Sequence, residues 1–163
     1  FRQWDPACLI PLGIRYGKGL QMVNILRDLP RDLRNGRCYI PIPLLHQVNL
    51  SPIQLLEEAS SRAFRPLFRK LIQEARDHLD QGWRYTMAIP RREVRLRLAC
   101  MWPILIGVRT LQQLSVSPLV LSPTSPVKIA RSDVYRIVAT TGFTGGCATV
   151  GTAYWGYWRK RIV

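Results

Sequence analysis

The sequence predicts an all-α protein. Apolar residues recur at helical spacing over long segments, helix-start chemistry precedes one of them, and no stretch alternates apolar and polar residues long enough to build a sheet. At 163 residues, 47% hydrophobic and 21% charged, the chain has a globular composition and the length of one domain or of a piece of something larger.

Pro6, Pro11 and Gly13 predict a loop over residues 1–13. A helix is expected over 14–34, where Leu20, Val23, Ile25, Leu26 and Leu29 mix with polar residues. Pro41 and Pro43 should end regular structure around Ile40. At Ser51-Pro52-Ile53-Gln54 a capping residue, a first-turn proline and a capping-box glutamine predict a helix start. Glu57 and Glu58 follow near the positive end of its dipole, and the helix should run to about Ala88 with a kink at Pro66. Another helix begins near Pro90, with Val94, Leu98, Met101, Leu105 and Val108 as its core stripe and Arg91, Arg92, Arg95 and Arg97 crowding its first turns. Three prolines and four serines make residues 115–126 a loop, and a shorter helix should start at Ser132.

Residues 137–158 hold 22 positions without a charge, followed by Arg159-Lys160-Arg161. Tyr154, Trp155, Tyr157 and Trp158 resemble an interfacial belt. Five Thr and five Gly keep the stretch weakly hydrophobic, so a last helix packed on the bundle or lying on a membrane surface is favoured over a span.

Charge narrows the function classes. Twenty Arg and four Lys against ten acidic residues give a formal net charge of +14. Arginine forks around phosphate oxygens, so an anionic, phosphorylated partner is expected. The arginines form no tail and no nucleic-acid motif appears, so nucleic acid is not the expected partner. Cys8, Cys38, Cys100 and Cys147 lie far apart, which argues against a zinc site or a disulfide scaffold and suits a reducing compartment. Two isolated histidines, His46 and His78, do not make a metal centre or a triad. Trp83, Trp102 and Met101 read as core, and Cys38 has no neighbouring base to activate it.

The informative segment is 19–32. Gln21, Asn24, Asp28 and Asp32, at steps of three, four and four, share one polar stripe of a helix, and Gly17 on the same stripe leaves room for something bulky. Two carboxylates one turn apart with amide oxygens below form a hard-oxygen site suited to Mg²⁺, which usually takes one or two carboxylates and completes its shell with water and phosphate. Arg27, Arg31, Arg34 and Arg37 surround the acids; on spacing alone surface salt bridges such as Asp28 with Arg31 are the favoured account of them, and the aligned amides, paired acids and the Gly36-Arg37-Cys38-Tyr39-Ile40-Pro41 that follows shift the balance toward a site.

Q-x-x-N-x-x-R-D-x-x-x-D followed by G-R-x-Y-x-P resembles the second aspartate-rich motif of the squalene/phytoene synthase family, the head-to-head trans-isoprenoid diphosphate synthases. The resemblance is strongest over 17–41 and extends more weakly to about residue 138. It implies an isoprenoid-synthase-type helical bundle around an apolar pocket, with residues 1–140 as the C-terminal part of that domain and 141–163 as an uncharged tail with a basic end. By position, Asp28 and Asp32 would be metal ligands, and Asn24 and Gln21 would line the same face near the reacting carbons. Arg27 and Arg37 would contact diphosphate, with Tyr39 beside them. The implied reaction is Mg²⁺-dependent condensation of two farnesyl diphosphates to squalene through a cyclopropyl intermediate, consuming NADPH. The alternative is a phytoene synthase acting on geranylgeranyl diphosphate. No Gly-rich dinucleotide fingerprint is present, which discriminates little, because the family need not use a Rossmann fold.

Two departures stand out. Arg31 occupies a position where the family commonly carries an acid, and Pro30 lies inside the motif helix, where it should bend or end it. The family's first aspartate-rich motif and catalytic tyrosine are absent from this chain, which therefore reads as a C-terminal half. The resemblance also implies a cytoplasmic location, with peripheral attachment to a membrane compatible with it. The rival readings are a basic protein binding anions or a lipid surface, and an inactive relative that keeps only the fold.

Overall fold

The computed structural model describes residues 5–117, 121, 127–143 and 148–162, with backbone alone at Glu58 and Ala148. These residues are all-α, as the sequence predicts. The helices are α1 (Pro6–Arg34), α2 (Ile42–His46), α3 (Ser61–Ala88), α4 (Val94–Val116), α5 (Arg131–Phe143) and α6 (Ala148–Arg159).

The expected loop over 1–13 is corrected: α1 already begins at Pro6. Asp5 caps it, its carboxylate accepting from the Ala7 amide at 2.9 Å, and Pro6 sits in the first turn, where no donor is needed. Pro11 leaves the Ala7 carbonyl without a helical partner, but this part of the helix is solvent-exposed, so water can satisfy it. Pro30 likewise fails to end α1, which continues to Arg34.

Beyond Asn35 the chain reverses through a Schellman motif. The Gly36 amide donates to Leu33 O at 3.0 Å and the Arg37 amide to Asp32 O at 2.8 Å, with Gly36 at φ +70. Pro41 and Pro43 do not end regular structure; they lie before and inside the first turn of the short α2.

The predicted helix start at Ser51 is also displaced. Half of the capping box forms, the Ser51 amide donating to Gln54 Oε1 at 2.8 Å. The segment then makes only 3₁₀ turns at Gln54–Leu56 and Glu58–Ser60, separated by an extended Glu57, and α3 begins at Ser61. Glu57 and Glu58 therefore precede α3 and do not occupy its first turn. The predicted loop at 115–126 starts late, since α4 runs to Val116; residues 118–120 and 122–126 lie outside the described residues.

The core lies between α1, α3 and α4. Val23, Leu26, Leu29 and Leu33 of α1 meet Phe64, Phe68, Leu71, Ile72, Ala75 and Leu79 of α3, and Met101, Ile104, Leu105, Val108 and Leu111 of α4 complete the layer. Arg97, one of the arginines crowding the first turns of α4, is buried and donates to Ile89 O at 3.0 Å, closing the α3–α4 turn. Tyr16 of α1 donates to Cys100 O at 2.9 Å, and burial pushes its hydroxyl up to about 12.

The uncharged stretch 137–158 is shared between α5 and α6, and no described helix is long and apolar enough to cross a membrane. The last helix packs on the bundle: Trp155 stacks on Trp83 with centroids 5.5 Å apart, and Arg159 pairs with Asp80 at 2.7 Å. Trp102 donates to Thr141 Oγ1 at 2.9 Å and holds α5 to α4.

The α1–α3 contact depends on missing side chains. A Cβ at Gly19 would lie 2.9 Å from Leu79 Cδ2 and 3.0 Å from the Leu79 amide nitrogen, and one at Gly82 would lie 2.7 Å from the Tyr16 ring. Gly17, two residues from Gly19, has nothing within 4 Å of its would-be Cβ. Gly19→Ala should therefore destabilise the protein by about 1–3 kcal/mol through overpacking. Gly17→Ala should stabilise it by about 0.5–1 kcal/mol through helix propensity. Thermal unfolding of the two variants checks this; equal shifts of the same sign would refute the close crossing.

Candidate active site on α1

Because α1 stays helical through Pro30, Gln21, Asn24, Asp28 and Asp32 do form one face. Gln21 and Asn24 are exposed, while the carboxylates of Asp28 and Asp32 are only 22% and 16% exposed. Toward the helix N-terminus the same face carries Ile10 and Ile14, both largely exposed. The face thus grades from apolar through amide to acidic.

Asp28 is gripped by Arg27 through two hydrogen bonds, Nε to Oδ1 at 3.1 Å and Nη2 to Oδ2 at 2.8 Å. Arg31 lies between the two acids, its Nη2 3.2 Å from Asp28 Oδ2 and its Nε 3.9 Å from Asp32 Oδ1. The salt bridges anticipated on spacing alone are therefore present. The Arg27 hydrogen bond, reinforced by both guanidinium charges, holds the Asp28 carboxyl below the usual carboxylate range.

Arg37 is exposed, and its amide anchors it beside the end of α1. Tyr39 is half-exposed and lines an apolar cavity of about 210 Å³ with Met22, Ile25, Leu26, Leu44 and Leu71. None of the four stripe residues lines that cavity. Cys38 donates to Ile40 O at 3.7 Å, consistent with its reading as a non-nucleophile.

The donors suit a hard dication. Two carboxylates one turn apart already share one cation, the Arg31 guanidinium, and two is the protein contribution Mg²⁺ usually takes. No group of three or more His, Cys, Asp or Glu side chains able to hold a metal occurs among the described residues.

Residues 4–132 match the squalene/phytoene synthase family model. The chain belongs to the squalene/phytoene synthase family. It is 28% identical over 131 residues to a presqualene diphosphate synthase of Rhodopseudomonas palustris, covering 79% of this chain and 45% of that protein. It is 33% identical over 104 residues to a 15-cis-phytoene synthase of Synechocystis sp., covering 62% and 29% respectively. With a phytoene synthase of Arthrospira platensis the identity is 40% over 63 residues, or 39% and 20% of the two chains. The chain thus spans less than half the length of these relatives. No solved structure matches it significantly.

Sequence reasoning missed a second cluster, where Asp133, Arg136 and Ile137 of α5 face Tyr154, Tyr157 and Trp158 of α6. Each triplet has i, i+3, i+4 spacing, a signal legible in the sequence but read there only as an aromatic belt.

The depressed Asp28 titration has a definite sign. Its stabilisation should be complete above the unfolded pKa of about 4 and disappear as pH falls through the lower folded value. Because the pair is partly solvated, the effect should be at most about 1 kcal/mol. Urea unfolding of wild type and Asp28→Asn should show a gap at neutral pH that closes on acidification; a gap constant with pH would contradict the ion pair.

Proposed function

We propose that the protein catalyses Mg²⁺-dependent head-to-head condensation of two prenyl diphosphates, taking two farnesyl diphosphates to squalene through a cyclopropyl intermediate, with loss of both diphosphates and a hydride supplied by NADPH. The observation that carries this reading is the convergence of Asp28 and Asp32 on a single cation at the acidic end of the α1 face. Asp28 and Asp32 would hold the metal, which when bound neutralises the departing diphosphate. Arg27 and Arg31, now paired with the acids, can turn to diphosphate oxygens once the carboxylates are otherwise compensated. Arg37, exposed beside the acidic end, supplies a further guanidinium, with Tyr39 near it. Gln21 and Asn24 line the face beside the reacting carbons, and the apolar Ile10–Ile14 end would exclude water from an allylic cation.

A second reading, phytoene synthesis from geranylgeranyl diphosphate without reductant, is supported by identities of 33% and 40% to phytoene synthases. Peripheral membrane attachment fits either reading, since substrates and products are lipids. Incubating the full-length protein with each prenyl diphosphate and Mg²⁺, with and without NADPH, distinguishes them by product. No product from either substrate would favour an inactive relative.

In that assay Asp28→Ala and Asp32→Ala should each lower turnover at least about a hundredfold, and Asp→Asn should be nearly as damaging because charge and not shape is required. Near-normal turnover in both alanine variants would refute the metal assignment.

Arg37→Lys should raise KM several-fold, because a point charge cannot reproduce a bidentate fork. Arg92→Lys should change little: Arg92 is 77% exposed and pairs only with its neighbour Glu93 at 3.4 Å among the described residues. Equal effects of the two substitutions on KM would indicate bulk charge instead of a site.

A further inference from the structure

A second cavity lies away from the α1 stripe. It encloses about 370 Å³ between α4, α5 and α6, within the range of small-ligand pockets, about 300–1,000 Å³. Its lining is mostly apolar: Ile137 of α5 with Ala153, Tyr154, Tyr157 and Trp158 of α6. Three charges line it, Arg109, Asp133 and Arg136.

Two of these charges are satisfied by each other. Arg109 donates from Nε to Asp133 Oδ2 at 3.0 Å, with Nη2 at 2.9 Å from the same oxygen, and its guanidinium lies 4.1 Å from the centre of the Trp158 ring. Both side chains of that pair are 17% exposed, so the pair forms a fixed wall. Arg136 is exposed and has no ion pair among the described residues. The cavity therefore carries one uncompensated positive charge beside an apolar interior. Arg161 lies 3.5 Å over the Tyr157 ring, so both Tyr157 and Trp158 already have a guanidinium on a face. An alkyl chain, which needs no free ring face, suits this interior better than a stacking aromatic body.

We infer that the α4–α5–α6 cavity is a binding site for an amphiphilic anion, its alkyl chain against Ile137, Ala153, Tyr154 and Trp158 and its phosphate or carboxylate head on Arg136. The site contains no acid pair to hold a dication, so binding is independent of Mg²⁺. It is also independent of the proposed condensation at Asp28 and Asp32. The amphiphile can be a free molecule or a lipid of a membrane surface.

The test is calorimetric titration of the full-length protein with octyl phosphate below its micellar concentration, in EDTA. Octyl phosphate should bind at least tenfold more tightly than inorganic phosphate. Arg136→Gln, which removes the charge at an exposed position, should weaken octyl phosphate binding at least tenfold. Ala153→Leu, which fills the cavity and removes no interaction, should do the same. Asp28→Ala should leave binding unchanged, separating this site from the metal stripe. Cosedimentation with phosphatidylglycerol vesicles distinguishes the source: loss in Ala153→Leu assigns a membrane lipid, and retention assigns a free amphiphile. Absence of octyl phosphate binding, equal affinity for inorganic phosphate, indifference to both cavity substitutions, or loss in Asp28→Ala would each overturn the assignment.

Discussion

The close crossing of α1 and α3 is the constraint on which the rest of the structure depends. At Gly19 the backbone of Leu79 comes too close for a side chain, and at Gly82 the Tyr16 side chain fills the space a Cβ would take. That contact fixes the rotation of α1 about its axis. Val23, Leu26, Leu29 and Leu33 are then turned inward, and the opposite face, with its isoleucines, amides and acids, is turned outward. A rotation of one residue step, about 100°, would bury the aspartates and expose the leucines. The helix that carries the proposed metal stripe is thus positioned by glycines that lie outside that stripe.

The electrostatics follow from the same geometry. Asp28 and Asp32 lie one turn apart on a partly covered face, where an uncompensated pair of carboxylates would repel. Arg27 and Arg31 supply compensation from the adjacent face of the same helix. The arginine that departs from the family pattern is the residue that touches both acids. An acid there would have added to the repulsion, so the substitution gives the pair a built-in counter-ion. The Schellman turn at Gly36 then carries Arg37 away from the helix while keeping its amide bonded to Asp32, so a basic residue stays beside the acidic end.

Much was legible in the sequence because it is periodic or local. The all-α class, the shared stripe of Gln21, Asn24, Asp28 and Asp32, the core role of Met101, Leu105 and Val108, and the family motif follow from residue spacing along a helix. What was misread concerned termini and prolines. Pro6 and Pro11 suggest a loop, yet proline is favoured in a first turn and tolerated where water can reach the freed carbonyl. The box at Ser51 formed as a local hydrogen bond without starting α3, because Glu57 turns extended and the following residues re-nucleate the helix. Caps report what a few residues can do, whereas helix length is decided by what the helix packs against.

The sequence by itself determined the helical class, the shared face of Gln21, Asn24, Asp28 and Asp32 on α1 and membership of the family, since each is set by residue types at fixed offsets. Tertiary structure alone decided which groups are partners across segments. Arg97 is buried as a clamp on Ile89 while Arg91, Arg92 and Arg95 beside it stay exposed, and Arg109 meets Asp133 and Trp158 from other helices. The 137–158 stretch became two helices, the second stacked on Trp83. Composition assigns a residue its capacity for charge or burial. Which of these is realised depends on the neighbours that long-range packing brings within a few ångströms, and no local spacing encodes them.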